Sequence, residues 1–90
     1  MLIKYFADIR RLSGCDEQRW EEATPVLRVL LEELGREHGA PFARRVLEDG
    51  RLSPTIIILV NGQHVSHLRG LDTELGSDDT VAIFPMVAGG

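Results

Sequence analysis

The sequence predicts an α+β domain, and three observations lead there. Apolar residues recur with period two near the start, with helical period in the middle, and with period two again towards the end. A β-branched run, Ile56-Ile57-Ile58-Leu59-Val60, stands directly before Asn61-Gly62, a strong short hairpin signal. Between the two alternating regions lies a single amphipathic stretch long enough for a substantial helix.

Residues 2–9 place Ile3, Tyr5, Ala7 and Ile9 on one side and Leu2 and Phe6 on the other, as an interior strand requires. Ser13-Gly14 supplies a turn, and residues 18–22 return as a largely polar strand with Trp20 inward, which closes an N-terminal hairpin. Thr24-Pro25 marks a helix start, because threonine accepts an orphan amide and proline at the first position has none to offer. Leu27, Leu30, Leu31 and Leu34 follow at i, i+3, i+4 and i+7, so one stripe packs onto a sheet, and Gly35 or Gly39 ends the helix. Residues 41–48 form a shorter helix from Pro41 that offers Phe42, Val46 and Leu47 to the core before Gly50 breaks it. Residues 55–60 are a strand, the Asn61-Gly62 turn leads into 63–65, residues 70–77 are a loop or short turn, and 80–84 form the last strand. Pro85 ends regular pairing for want of an amide.

Ninety residues hold one core, and a chain of this size buries only about 60–65% of its unfolded surface. Hydrophobic residues at 43% and charged residues at 27% argue against disorder and against a membrane protein. The longest apolar run is too short to span a bilayer, and no basic, apolar and small-residue succession marks a secretory signal, so a cytoplasmic location is expected. Cys15 is alone, which excludes an internal disulfide and a cysteine metal cluster and leaves it as a small residue in a turn. A formal net charge of −4 argues against non-specific nucleic-acid binding and weakly favours a basic protein partner.

The order strand, strand, helix, short helix, strand, strand, strand is that of a β-grasp, the ubiquitin-like fold. A mixed sheet of four to five strands, with one main and one short helix on one face, would bury every apolar stripe. No nucleophile elbow, phosphate-cradling glycine loop or purposeful carboxylate pair appears, so the chain holds no complete active site of its own. The chemistry is sited at the end, where the domain of residues 1–85 gives way to a flexible tail, 86–90, ending in Gly89-Gly90. Five extended residues reach about 17 Å, and glycine without a Cβ enters channels too narrow for side chains. A terminal carboxyl has a pKa of about 3.3–3.7, so it is ionised at neutral pH and a poor acyl donor until another enzyme activates it.

Tyr5-Phe6-Ala7-Asp8-Ile9-Arg10 with Gly14, the helix of 24–34, Val60-Asn61-Gly62-Gln63, and Asp78-Asp79-Thr80-Val81-Ala82-Ile83-Phe84-Pro85 leading to Val87-Ala88-Gly89-Gly90 resemble, along nearly the whole chain, the small subunit of molybdopterin synthase and its sulfur-carrier relatives. Met86 departs from the pattern, since the molybdopterin-associated members commonly carry a second proline there. The resemblance implies a cycle in which a ubiquitin-activating-like adenylyltransferase uses ATP to adenylate Gly90 and a sulfur donor protein converts it to a thiocarboxylate. It further implies that this chain binds no cofactor and is a non-catalytic, sulfur-donating subunit. Ala88 and Gly89 would thread the active site of the molybdopterin synthase large subunit, in a heterotetramer, while Phe84, Pro85, Met86 and Val87 dock on the partner. A carrier for cysteine or thiamine synthesis, or a modifier joined to lysines, would use the same end.

Other residues have plainer readings. His64 and His67 lack a third ligand, Asp78-Asp79 suit a turn, and Arg44-Arg45 suit a solvated helix face.

Overall fold

In the computed structural model, which describes residues 1–22 and 24–86, the chain opens with strand β1 (Leu2–Tyr5), and Ala7 then turns it away with a φ of 53°. The expected strand over 2–9 therefore stops at Tyr5. Residues Ala7–Ser13 form helix α1, which buries Ile9 by helical rather than alternating spacing. Gly14, expected in a hairpin turn, caps that helix at φ 80°, its N–H reaching the Arg10 carbonyl. Strand β2 (Glu17–Arg19) then pairs antiparallel with β1, and half-buried Trp20 leans on the core just beyond it.

Helix α2 (Leu27–His38) begins later than Thr24-Pro25 indicate. Residues 24–26 are held extended against a distant segment: Val26 bridges Glu74, Leu75 N–H donates to the Pro25 carbonyl, and Leu27 N–H donates to the Thr73 carbonyl at 2.9 Å. One orphan amide of the helix start is thus satisfied by tertiary contact instead of by threonine. Gly39, not Gly35, ends the helix, with φ 102° and its N–H on the Gly35 carbonyl.

Helix α3 (Ala40–Val46) buries Phe42 and Val46. Leu47, expected in that helix, instead starts strand β3 (Leu47–Glu48), which pairs with β4 (Arg51–Leu52) in a separate two-stranded ribbon turned by Asp49 and Gly50 at positive φ. Strand β5 (Ile56–Val60) runs through the Asn61-Gly62 turn, at φ 52° and 84°, into β6 (Gln63–His64), the geometry of a type I′ hairpin. Two 3₁₀ turns, Val65–His67 and Gly70–Asp72, precede the last strand, β7 (Thr80–Pro85).

The main sheet has five strands in the order β2-β1-β7-β5-β6, and the central pair β1 and β7 is parallel. This is the β-grasp, as expected, but with three helices rather than two, and an added ribbon, among the described residues. Ile3, Tyr5, Ile58, Val81 and Ile83 from the sheet meet Leu27, Leu30, Leu31, Leu34, Phe42 and Val46 from the helices in one core. Burying a Leu, Ile or Phe side chain contributes about 1.5–3 kcal/mol, and burying this set on a single sheet face is what fixes the helices to it. No helix among the described residues is long and apolar enough to cross a membrane.

Candidate functional site at the end of the last strand

Alternation along β7 sends Val81 and Ile83 into the core and leaves Ala82 and Phe84 on the outer face of the sheet. Register extends that face sideways: Phe84 lies opposite Ile57, while Ala82 lies between Leu59 and Lys4. These side chains are half-buried, whereas their inward neighbours are buried.

Phe6 joins this face because of the turn at Ala7. Its ring stands edge-on to Phe84, with centroids 5.9 Å apart and planes at 86°, and it remains 45% exposed. Edge-to-face pairing is a favoured aromatic geometry, so the two rings hold one another on an otherwise open surface. Met86, 54% exposed, extends the apolar strip at the end of β7. Large apolar side chains exposed together in this way make the strip a candidate interaction surface.

Pairing continues further than Pro85 led us to expect. Pro85 lies opposite Ile56, and Met86 N–H donates to the Thr55 carbonyl at 2.8 Å. Proline is tolerated because its nitrogen points away from β5, towards the side where β1 has already ended at Tyr5. Around this last tie lies a polar cluster. Arg45 Nε donates to Asp8 Oδ2 and Arg45 Nη1 donates to Thr55 Oγ1, each at 2.8 Å. Arg45 is therefore not the solvated helix-face residue its sequence neighbourhood indicated, although Arg44 is exposed.

Of the residues assigned to the site from sequence, Phe84, Pro85 and Met86 fall together at this end of β7, and Val87, Ala88, Gly89 and Gly90 lie outside the described residues. Phe6, Asp8, Arg45 and Thr55 were missed. Phe6 carried a signal, an apolar side chain on the outward phase of β1, whereas a sequence separation of 37 hid the Asp8–Arg45 pair.

The other candidates resolve plainly. His64 and His67 rings sit 6.0 Å apart, with His64 Nδ1 taken by the Ser66 N–H, and no group of three metal-ligating side chains occurs among the described residues. Asp79 accepts from Gly76 N–H and the Asn61 amide, which holds its carboxyl below the usual range and ties the turn before β7 to the β5–β6 hairpin. Among the described residues, the end of β7 thus carries an apolar strip beside a polar cluster.

Residues 3–90 match the ThiS family. The chain belongs to the ThiS family. Like its relatives it is a ubiquitin-like protein of the sulfur-carrier and modifier group. It is 36% identical to small archaeal modifier protein 3 of Haloferax volcanii, over 98% of this chain and 96% of that protein. It is 44% identical over 61 residues to a candidate sulfur carrier protein of Archaeoglobus fulgidus, spanning 68% of this chain and 69% of the relative. Among solved structures, a candidate molybdopterin converting factor subunit 1 from Pyrococcus furiosus superposes with a TM-score of 0.76 at 35% identity, covering 96% of this chain and 95% of that one. The ThiS match extends through Ala88-Gly89-Gly90, so it includes the four residues that follow the described part of the chain.

Proposed function

We propose that this ThiS-family chain is a sulfur carrier with Gly90 as its acyl end, and that it serves as the small, sulfur-donating subunit of a molybdopterin synthase in molybdenum cofactor biosynthesis. The observation that carries this reading is the apolar strip of exposed Phe6 and Met86 with half-buried Phe84 at the end of β7, shortly before Gly89-Gly90 in the sequence. The Gly90 carboxylate attacks the α-phosphorus of ATP in a ubiquitin-activating-like enzyme, releasing pyrophosphate and forming an acyl adenylate. Persulfide sulfur from a donor protein then displaces AMP, and reductive cleavage of the resulting acyl disulfide by a thiol leaves the thiocarboxylate. ATP is consumed by the activating partner and no cofactor is assigned to this chain. Ala88 and Gly89 enter the large subunit's site, while Phe84, Pro85, Met86 and Val87 dock against it. The setting is cytoplasmic.

A second reading, conjugation of Gly90 to lysines of other proteins, is favoured by the 36% identity to a small archaeal modifier protein. The first chemical step is shared, and the acceptor differs. Intact-mass measurement after incubation with the organism's activating enzyme, ATP and a sulfur donor separates the two. Replacement of one oxygen by sulfur on a chain ending at Gly90 is expected for the carrier, and isopeptide adducts on target lysines for the modifier. Deleting Gly89-Gly90, or adding an alanine after Gly90, is expected to abolish both products without loss of the fold. Unaltered activity of either variant would overturn both readings.

A further inference from the structure

Residue 86 is the last described residue tied to the sheet, and its anchor is itself braced. The Met86 N–H donates to the Thr55 carbonyl at 2.8 Å. The Thr55 hydroxyl accepts from Arg45 Nη1 at 2.8 Å and meets Ser53 Oγ at 3.1 Å, and Ser53 Oγ donates to Glu48. Arg45 Nε simultaneously donates to Asp8 Oδ2. One guanidinium therefore joins α1, α3 and the turn before β5 at the place where β7 ends.

Two contrasts set this cluster apart from ordinary surface charge. The other ion pairs among the described residues, Arg10–Asp16 at 3.6 Å and Arg28–Asp72 at 3.9 Å, are long and carry carboxylates more than three-quarters exposed. Arg45 and Asp8 are 26% and 36% exposed and in charge-assisted hydrogen-bond contact at 2.8 Å, a shorter and less screened interaction. The second contrast is with the core: α3 is also held by buried Phe42 and Val46, so its packing does not rest on Arg45 alone. Two nitrogens of a planar fork reach two acceptors at once, and a lysine ammonium on a flexible stem reproduces that poorly.

We infer that Arg45, held by Asp8 and bonded to Thr55, is a positioning residue that fixes Met86 on β5, the last described residue ahead of Gly89-Gly90 in the sequence. If Thr55 loosens, the end of β7 frays, and more backbone freedom must be lost each time Gly90 enters a partner's site. This inference uses the proposed function only for its consequence in activity. Its structural content is independent of it.

The test is amide hydrogen exchange on the full chain, wild type against Arg45→Gln, Asp8→Asn, the double variant and Arg45→Lys. The Met86 amide is expected to exchange about tenfold faster in Arg45→Gln, while the Ile58 and Ile83 amides keep their protection. The double variant should add little to the single ones, because both remove the same brace, and Arg45→Lys should fall between. In ATP–pyrophosphate exchange with the activating enzyme, the variants should lose kcat about tenfold with KM nearly unchanged, since the docking strip is intact while the end is misplaced. Unchanged protection of Met86 in Arg45→Gln overturns the inference, as does a freed Met86 with wild-type kcat. A wild-type chain that is never adenylated counts against the sulfur-carrier reading instead, and the exchange at Met86 still decides the brace.

Discussion

Ala7 has a side chain but occupies the left-handed region, at φ 53°, where a Cβ crowds the following carbonyl. The packing on either side keeps it there: the chain leaves the sheet, α1 begins, and Phe6 is left with its ring against Phe84 on the outer face. Strain of this kind persists where the surroundings over-determine it, and here it lies beside the candidate site. Ala7→Gly is therefore expected to stabilise the fold by about 1 kcal/mol, measured as a higher urea midpoint with an unchanged slope, because relief of the left-handed penalty exceeds the added freedom of the unfolded chain. A loss of stability would show that Ala7 is not strained. Ala7 stood in phase with Ile3 and Tyr5 in the sequence, and nothing in that alternation announced the turn. Asn61-Gly62 was readable for the opposite reason, since both residue types are favoured at positive φ and both adopt it.

At the scale of elements, the contact between α2 and α3 is set by the absence of a side chain. Gly35 is buried in α2, where a Cβ would stand 3.0 Å from Ala43 Cβ and 3.4 Å from its Cα. Both Ala43 atoms belong to the helix framework and cannot swing aside. Gly35→Leu is expected to cost about 1–3 kcal/mol by forcing the helices apart, despite the better helix propensity of leucine, and thermal denaturation checks it. A neutral result would mean that α3 slides freely on α2. From the chain alone, Gly35 looked as suited to ending the helix as Gly39, because a glycine's role depends on which neighbour approaches it. The leucine stripe of α2 was legible throughout, as its period depends on nothing outside the helix. The true start of α2 was not, because Thr73, Glu74 and Leu75 hold residues 25–27 from across the molecule.

Across the whole molecule, β1, β2, α2 and α3 meet in a polar cluster beside the core. The Tyr5 hydroxyl donates to Gln18 Oε1, His38 Nε2 lies 2.8 Å from that oxygen and 3.2 Å from the hydroxyl, and the Tyr5 and His38 rings pack on Phe42. Burial pushes the Tyr5 hydroxyl well above its ordinary range and holds His38 below the usual histidine value, with neighbouring Glu37 opposing the latter. The unfolded chain therefore takes up the His38 proton first as pH falls. Its contribution to stability is complete above about pH 6.5 and is lost as pH descends through the lowered folded value. Urea titrations between about pH 7 and pH 5 should show stability falling more steeply for the wild type than for His38→Gln, and equal slopes would remove His38 from the account. No spacing in the sequence linked Tyr5 to His38. The sequence by itself determined the β-grasp fold class, the helix stripe and the Asn61-Gly62 hairpin, because each rests on local periodicity or on residues with restricted backbone preferences. Only the tertiary structure decided where β1 stops, what starts α2, that Phe6 joins Phe84, and that Arg45 braces the strand end. Those features depend on groups far apart in the chain, whose proximity is created by burial of the shared core.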